Sequence, residues 1–221
     1  MRQLLSTISL VALLQSFFFS VYAQIPTSST VSFAAIEQVV AANLMNNYPD
    51  GNFYPERFIS RAELASTLVK AFQLDKRQAA TQENVISVPD VPTSHWGYKD
   101  IQTVLKTGIM KGYRDNMFFP NQRVTRAEAF AIFAQAYGVF QFPDNTVEEI
   151  LSTYPDAVAI PTWAKRAMAT AVNEGFVNLD YQGNIKPSQP MTRGDMAYAL
   201  SKYLQRQQQP ASVENLRQQS N

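Results

Sequence analysis

The sequence predicts an all-α fold built from three tandem helix-loop-helix units, at residues 31–74, 88–139 and 154–206. Three observations carry that expectation. Landmarks recur at fixed spacing: Pro120 lies twelve residues after Gly108 and six before Arg126, and Pro187 lies twelve after Gly175 and six before Arg193. Pro55 likewise lies six before Arg61, with Asn43 in the glycine's place twelve before it. Apolar residues recur at helical steps, and each arginine follows a residue suited to cap a helix. Units of this kind bury a core only by stacking on one another, so the three should form one composite domain.

Met1 to Ala23 reads as a leader. Arg2 is a short basic start, Leu4 to Val21 is mostly apolar, and Val21-Tyr22-Ala23 is a small-x-small cleavage site. A membrane anchor is the alternative, but Ser6, Ser9, Gln15 and Ser16 interrupt the apolar run, which favours cleavage. No stable membrane span is expected afterwards. With Arg2 gone, the 19 basic residues fall level with the 18 acids. That balance argues against nucleic acid or an anionic membrane as main partner, since both call for a basic surface. The chain has no cysteine, hence no disulfide and no thiol chemistry.

Residues 24–30 read as a short polar linker, and the first helix should run from about Ser32 to Asn46. Its apolar stripe, Val31, Ile36 and Val40, recurs as Trp96, Ile101, Leu105 and as Trp163, Met168, Val172. Core packing is the expectation for all nine, Trp96 and Trp163 included, because large aromatics bury most of their surface. An indole left exposed at a helix start would instead be a sugar platform. The loops that follow read as tight turns, with Gly51 or Asn116 suited to positive φ. Their Asp-x-Asn pattern is too poor in oxygen ligands for calcium, and no metal or cofactor is expected.

The second helices open at Ser60, Thr125 and Thr192, each followed three positions later by Glu63, Glu128 or Asp195. The first two pairs are capping boxes, with Asp195 a shorter substitute. Ile59 with Leu64, Val124 with Ala129 and Met191 with Met196 are the matching staples. Between units, 75–87 reads as polar loop, whereas 139–154 holds one or two helical turns with a solvated Glu148-Glu149 pair. From Gln205 the chain turns rich in Gln, Ser and Asn, and 207–221 reads as a disordered tail.

Arg61, Arg126 and Arg193 are the informative residues. Each puts a cation against the positive end of a helix dipole, a cost of roughly 0.3–1 kcal/mol that calls for a compensating anion. An internal carboxylate such as Asp50 or Asp115 would serve, and the residues alone favour that. A bound anion would serve too, because a helix start plus a guanidinium is a ready carboxylate site. Catalysis has little to stand on. His95 is the one histidine, and Glu63 and Glu128 are better explained as caps than as a glycosidase acid pair.

The middle unit, with Pro89-Asp90-Val91, His95-Trp96, Gly108-Ile109-Met110-Lys111-Gly112-Tyr113-Arg114-Asp115, Phe119-Pro120 and Thr125-Arg126-Ala127-Glu128, resembles the S-layer homology family. The resemblance extends over roughly residues 30–206. The first unit departs from it, lacking the Asp-Val and Trp opening. The third has Thr192-Arg193-Gly194-Asp195 and a loop without the tyrosine. The resemblance implies a pseudo-threefold bundle that binds peptidoglycan-associated, often pyruvylated polysaccharide in grooves between repeats. It implies Arg61, Arg126, Arg193, Trp96 and Trp163 as groove candidates, with Lys111, Tyr113 and Arg114 behind them and Arg126 foremost. A non-catalytic, wall-associated protein of the periplasm or cell envelope follows. A Gln-rich chain with a short leader suggests a cyanobacterium or another outer-membrane bacterium. The alternatives are an envelope adaptor that binds another protein and, more remotely, a wall-modifying enzyme.

Overall fold

The computed structural model of the protein describes residues 31–208, so the expected leader, the linker and residues 209–221 lie outside it. Seven α-helices are described: α1 (Phe33–Ala41), α2 (Arg61–Phe72), α3 (Tyr98–Lys106), α4 (Arg126–Tyr137), α5 (Asp144–Ser152), α6 (Lys165–Asn173) and α7 (Arg193–Gln208). Among the described residues there is no strand, only three isolated antiparallel bridges.

Each first helix stops where the chain turns left-handed. Asn43, Gly108 and Gly175 have φ of 56°, 69° and 72°. Glycine adopts this conformation freely, and asparagine is among the few residues that tolerate it. Asn43 therefore ends α1 at Ala41 rather than near Asn46, and the amides of Leu44 and Met45 both return to the Val39 carbonyl. The stripe of α1 shifts with it. Ala35 and Val39 are buried, while Ile36 and Val40 only half face the core.

The helices pack in a closed ring. α3 lies on α2, α6 lies on α4, and α1 lies on α7, so every first helix rests on the second helix of a neighbouring unit. α5 lies on α6 and is a full nine-residue helix. At the hub, the short segments before α2, α4 and α7 bridge one another as Phe58 to Thr192, Ser60 to Arg123 and Thr125 to Pro190. Ile59, Val124 and Met191 are buried there, each ahead of a buried staple partner, Leu64, Ala129 or Met196. Farther along the helices, Phe133 meets Phe72 and Phe176 edge-on, each at 5.1 Å between ring centroids.

α7 runs past Gln205, where the composition suggested fraying. Arg206 explains the extension: its Nε donates to the Glu174 carbonyl at 3.0 Å and pairs with the Glu174 carboxylate at 3.0 Å, fastening the last turn of α7 to the end of α6. No helix among the described residues is long and apolar enough to cross a membrane.

Candidate functional site

The site grows from the helix caps. Ser60 and Glu63 exchange bonds of 3.2 and 2.8 Å, and Thr125 and Glu128 repeat the same pair of distances. Thr192 and Asp195 do so at 3.1 and 2.9 Å, so the shorter acid completes a reciprocal cap of its own. These caps present the next residue, always arginine, toward a neighbouring unit.

There the arginine is enclosed by the neighbour's loop. Arg61 donates through Nε to the Phe118 carbonyl at 2.7 Å and through Nη2 to the Lys111 carbonyl at 2.8 Å. Arg126 makes the same two bonds to Ile185 and Asn178, and Arg193 makes them to Phe53 and Asn46. All three are buried. The compensating groups are therefore chiefly carbonyl oxygens, not Asp50 or Asp115. The loop curls its backbone around the guanidinium and leaves those carboxylates at its outer tip. Asp50 there accepts from the Tyr54 hydroxyl and the Asn52 amide, which hold its carboxyl below the usual range.

The carboxylates that do face the arginines are the caps of the neighbouring unit. Arg126 Nη1 lies 2.7 Å from Asp195, and Arg193 Nη1 lies 3.9 Å from Glu63. Burial lowers the Arg61 pKa, opposed by Tyr113 and by the Glu128 and Asp90 carboxylates. Burial by itself would raise the Asp195 pKa, but Arg126, Asn178 and Thr192 hold it below the usual value.

Each arginine lies at a seam between units, and the clefts at two of the seams, those of Arg193 and Arg126, are unequal. The first, about 260 Å³, is lined by the loop from Leu44 to Pro49, by Glu63 and Lys70 of α2, by Arg193, and by Trp96. Trp96 and Trp163 are each 64% exposed. The expectation that they pack into the core is wrong, because Ile101 and Met168 fill the inward positions while both indoles precede the helices, which begin at Tyr98 and Lys165. The arginine stacks on a tyrosine here: Arg193 lies 4.8 Å from the Tyr48 ring centroid. At the second seam, that of Arg61, the residues of matching register are the loop from Lys111 to Arg114 and Trp163. Arg61 lies 4.6 Å from the Tyr113 ring, and the side chains of Lys111 and Arg114 are exposed.

The cleft at the third seam holds Arg126, the residue expected to lead. It is wider, about 680 Å³, and Val31 and Asp180 stand where the first cleft has Trp96 and Tyr48. Arg126 there is committed to Asp195, to Asn178 Oδ1 at 3.1 Å and to two carbonyls. Asp180 turns to its own loop, accepting from Asn184 and Gln182 and pairing with Lys186 at 3.2 Å; the Asn184 bonds chiefly drive its pKa down.

Sequence reasoning missed three participants. Asp90 accepts the Phe118 and Phe119 amides at 2.9 and 2.6 Å, bracing the loop that encloses Arg61. Asp156 does the same for Ile185 and Lys186 at 2.9 and 2.6 Å. A Pro-Asp pair shortly before each tryptophan was the available signal, blurred by one extra residue in the third unit. Lys70, on the exposed face of α2, carried no motif at all. No group of three or more His, Cys, Asp or Glu that could hold a metal occurs among the described residues.

A three-unit helical ring, with an arginine of each unit locked into a neighbour's loop, defines a tandem-repeat domain whose units complete one another. The S-layer homology domain profile matches residues 25–65, 89–130 and 153–197, more than half of the sequence, and the chain belongs to that family. It is 30% identical over 174 residues to the "Surface-layer 125 kDa protein" of Lysinibacillus sphaericus, a match spanning 77% of this chain and 14% of that protein. It is 37% identical over 99 residues to the "Cellulosome-anchoring protein" of Acetivibrio thermocellus, spanning 44% of this chain and 22% of that one. An "Amylopullulanase" of Thermoanaerobacterium thermosulfurigenes is 24% identical over 163 residues, 73% of this chain and 8% of the enzyme. The chain thus spans under a quarter of the length of each of these relatives.

Proposed function

We propose that this chain holds noncovalently to peptidoglycan-associated polysaccharide at the cell envelope, without catalysing a reaction, and that the Trp96 cleft is the main seat. The observation that carries the reading is the composition of that cleft. An exposed indole offers a flat face to a sugar ring. Lys70 and Arg193 outnumber Glu63, so the cleft favours a carboxylate such as a pyruvyl ketal. The Arg126 cleft sets Glu56, Asp180 and Asp195 against Arg126 and Lys186, and does not. The Trp163 seam, with Arg61, Tyr113, Lys111 and Arg114, is a second seat of similar chemistry.

The test is retention on purified sacculi, before and after acid stripping of attached polysaccharide. Trp96→Ala and Lys70→Ala are the informative variants, because both side chains lie outside the core. Each should weaken retention by about tenfold or more, as expected for loss of a stacking platform or a charged contact. Arg193→Ala is a poor probe, since it also releases the Phe53 and Asn46 carbonyls. Retention that survives stripping, or that ignores both variants, would overturn the reading. The altered third cleft favours a second reading, an envelope adaptor that docks a protein partner there. Capture of a protein by a chain that fails to bind any sacculus would support it.

A further inference from the structure

The one histidine of the chain adjoins the exposed indole of the favoured cleft. The His95 ring stacks on Trp96, with centroids 5.5 Å apart and planes at 29°. Its Nδ1 accepts the Gly97 amide hydrogen at 3.1 Å. A backbone N–H can only donate, so this bond requires an unprotonated Nδ1 and places the imidazole proton on Nε2. The backbone of His95 is held on both sides, its N–H on the Pro92 carbonyl at 2.8 Å and its carbonyl under the Tyr98 amide at 2.9 Å. The imidazole is thus a fixed shelf beneath one face of the indole. Trp163, equally exposed, follows Thr162 and has no such shelf.

We propose that His95 is a positioning residue for Trp96 and makes polysaccharide capture pH-dependent, strongest while the imidazole is neutral. The proposal rests on the reading that this cleft takes acidic polysaccharide. Protonation puts a hydrogen on Nδ1 and sets it against the Gly97 N–H, donor against donor. The ring then leaves Gly97, and the indole loses its support at the start of α3. The charged groups around this corner are Glu63 and Lys70 of α2, Arg193 of α7, and Lys99 and Asp100 in the first turn of α3. Three cations against two acids give the new positive charge no strong anchor. Histidine is the side-chain type that ordinarily changes charge between about pH 5 and 8, which sets the range over which the proposal is tested.

Two measurements decide it. In a Trp163→Phe background, Trp96 is the sole indole emitter, and its fluorescence is followed from pH 8 to pH 5 with and without His95→Asn. Asparagine keeps an acceptor at the Nδ1 position and carries no titrating proton. Emission should change across the range with His95 and stay flat with asparagine. In parallel, binding to polysaccharide-bearing sacculi is compared at pH 8 and pH 5. The unmodified chain should lose about fivefold, what one hydrogen bond is worth, while His95→Asn holds its pH 8 affinity at both values. The same emission curve in both proteins, or parallel binding losses, overturns the proposal. Absence of binding at both pH values sinks the wall-binding reading and the pH dependence together. A titrating emission would then show that the polysaccharide reading had failed, not the His95–Trp96 contact.

Discussion

Asp195 serves two elements with one carboxylate. It caps α7 through the Thr192 amide and pairs with Arg126 from another unit, with Asn178 bonded alongside at 2.7 Å. Removing it leaves a buried guanidinium without its anion, a loss of about 3–5 kcal/mol. We expect Asp195→Ala to lower the urea midpoint accordingly, and Glu63→Ala, whose arginine is 3.9 Å away, to cost about 1 kcal/mol as a cap alone. The pH dependence has a definite sign. The folded pKa of Asp195 is depressed, so its stabilisation is complete above the ordinary carboxylate range and is lost as pH falls through the lower folded value. Stability measured from pH 6 downward should therefore fall more steeply in the unmodified chain than in Asp195→Asn.

Among elements, the loop after each first helix is the most demanding. Gly108 has φ of 69° with open space where a Cβ would sit, so Gly108→Ala meets backbone strain without a clash and should cost about 1–2 kcal/mol in chemical denaturation. Asn43→Gly, at the same register in the first unit, should be neutral or slightly stabilising. Asp90→Ala strips two amides of their shared acceptor and should cost about 2–3 kcal/mol, loosening the Lys111 to Phe118 loop first in hydrogen exchange. What was legible in the sequence follows the same boundary. Caps and staples each join residues at most five apart, and Gly108 and Gly175 each stand twelve before a proline, so this regular local spacing declared the units. The grip of Arg61 on Lys111 and of Arg193 on Asn46 joins residues far apart in the chain, and the ring had to close before either was visible. Trp96 and Trp163 read as the first positions of helical stripes, yet both precede their helices, α3 from Tyr98 and α6 from Lys165. Whether such a position faces inward depends on the neighbouring helix, which periodicity does not describe.

At the scale of the molecule, no unit owns a complete interface. α1 and α2 belong to one unit, yet α1 rests on α7 and α2 supports α3. Deleting α7 should therefore abolish cooperative folding altogether rather than leave a stable two-unit remnant. Circular dichroism should show one thermal transition for the full chain and none for the truncation. A permuted chain with the old ends joined by a linker and new ends opened in the exposed strap at 82–85 should keep every seam intact and fold.

The pairing of α1 with α7 also orders events in time. A polypeptide is made from its N-terminus, so among the described helices α1 emerges first and waits for α7. Until α7 is finished, α1 has no surface on which to lie, and the hub lacks the segment that Ile59 and Val124 both meet. Contacts of such long sequence separation form slowly. In an exported chain such a delay would be an advantage, because a ring that cannot close early stays threadable until translocation is over.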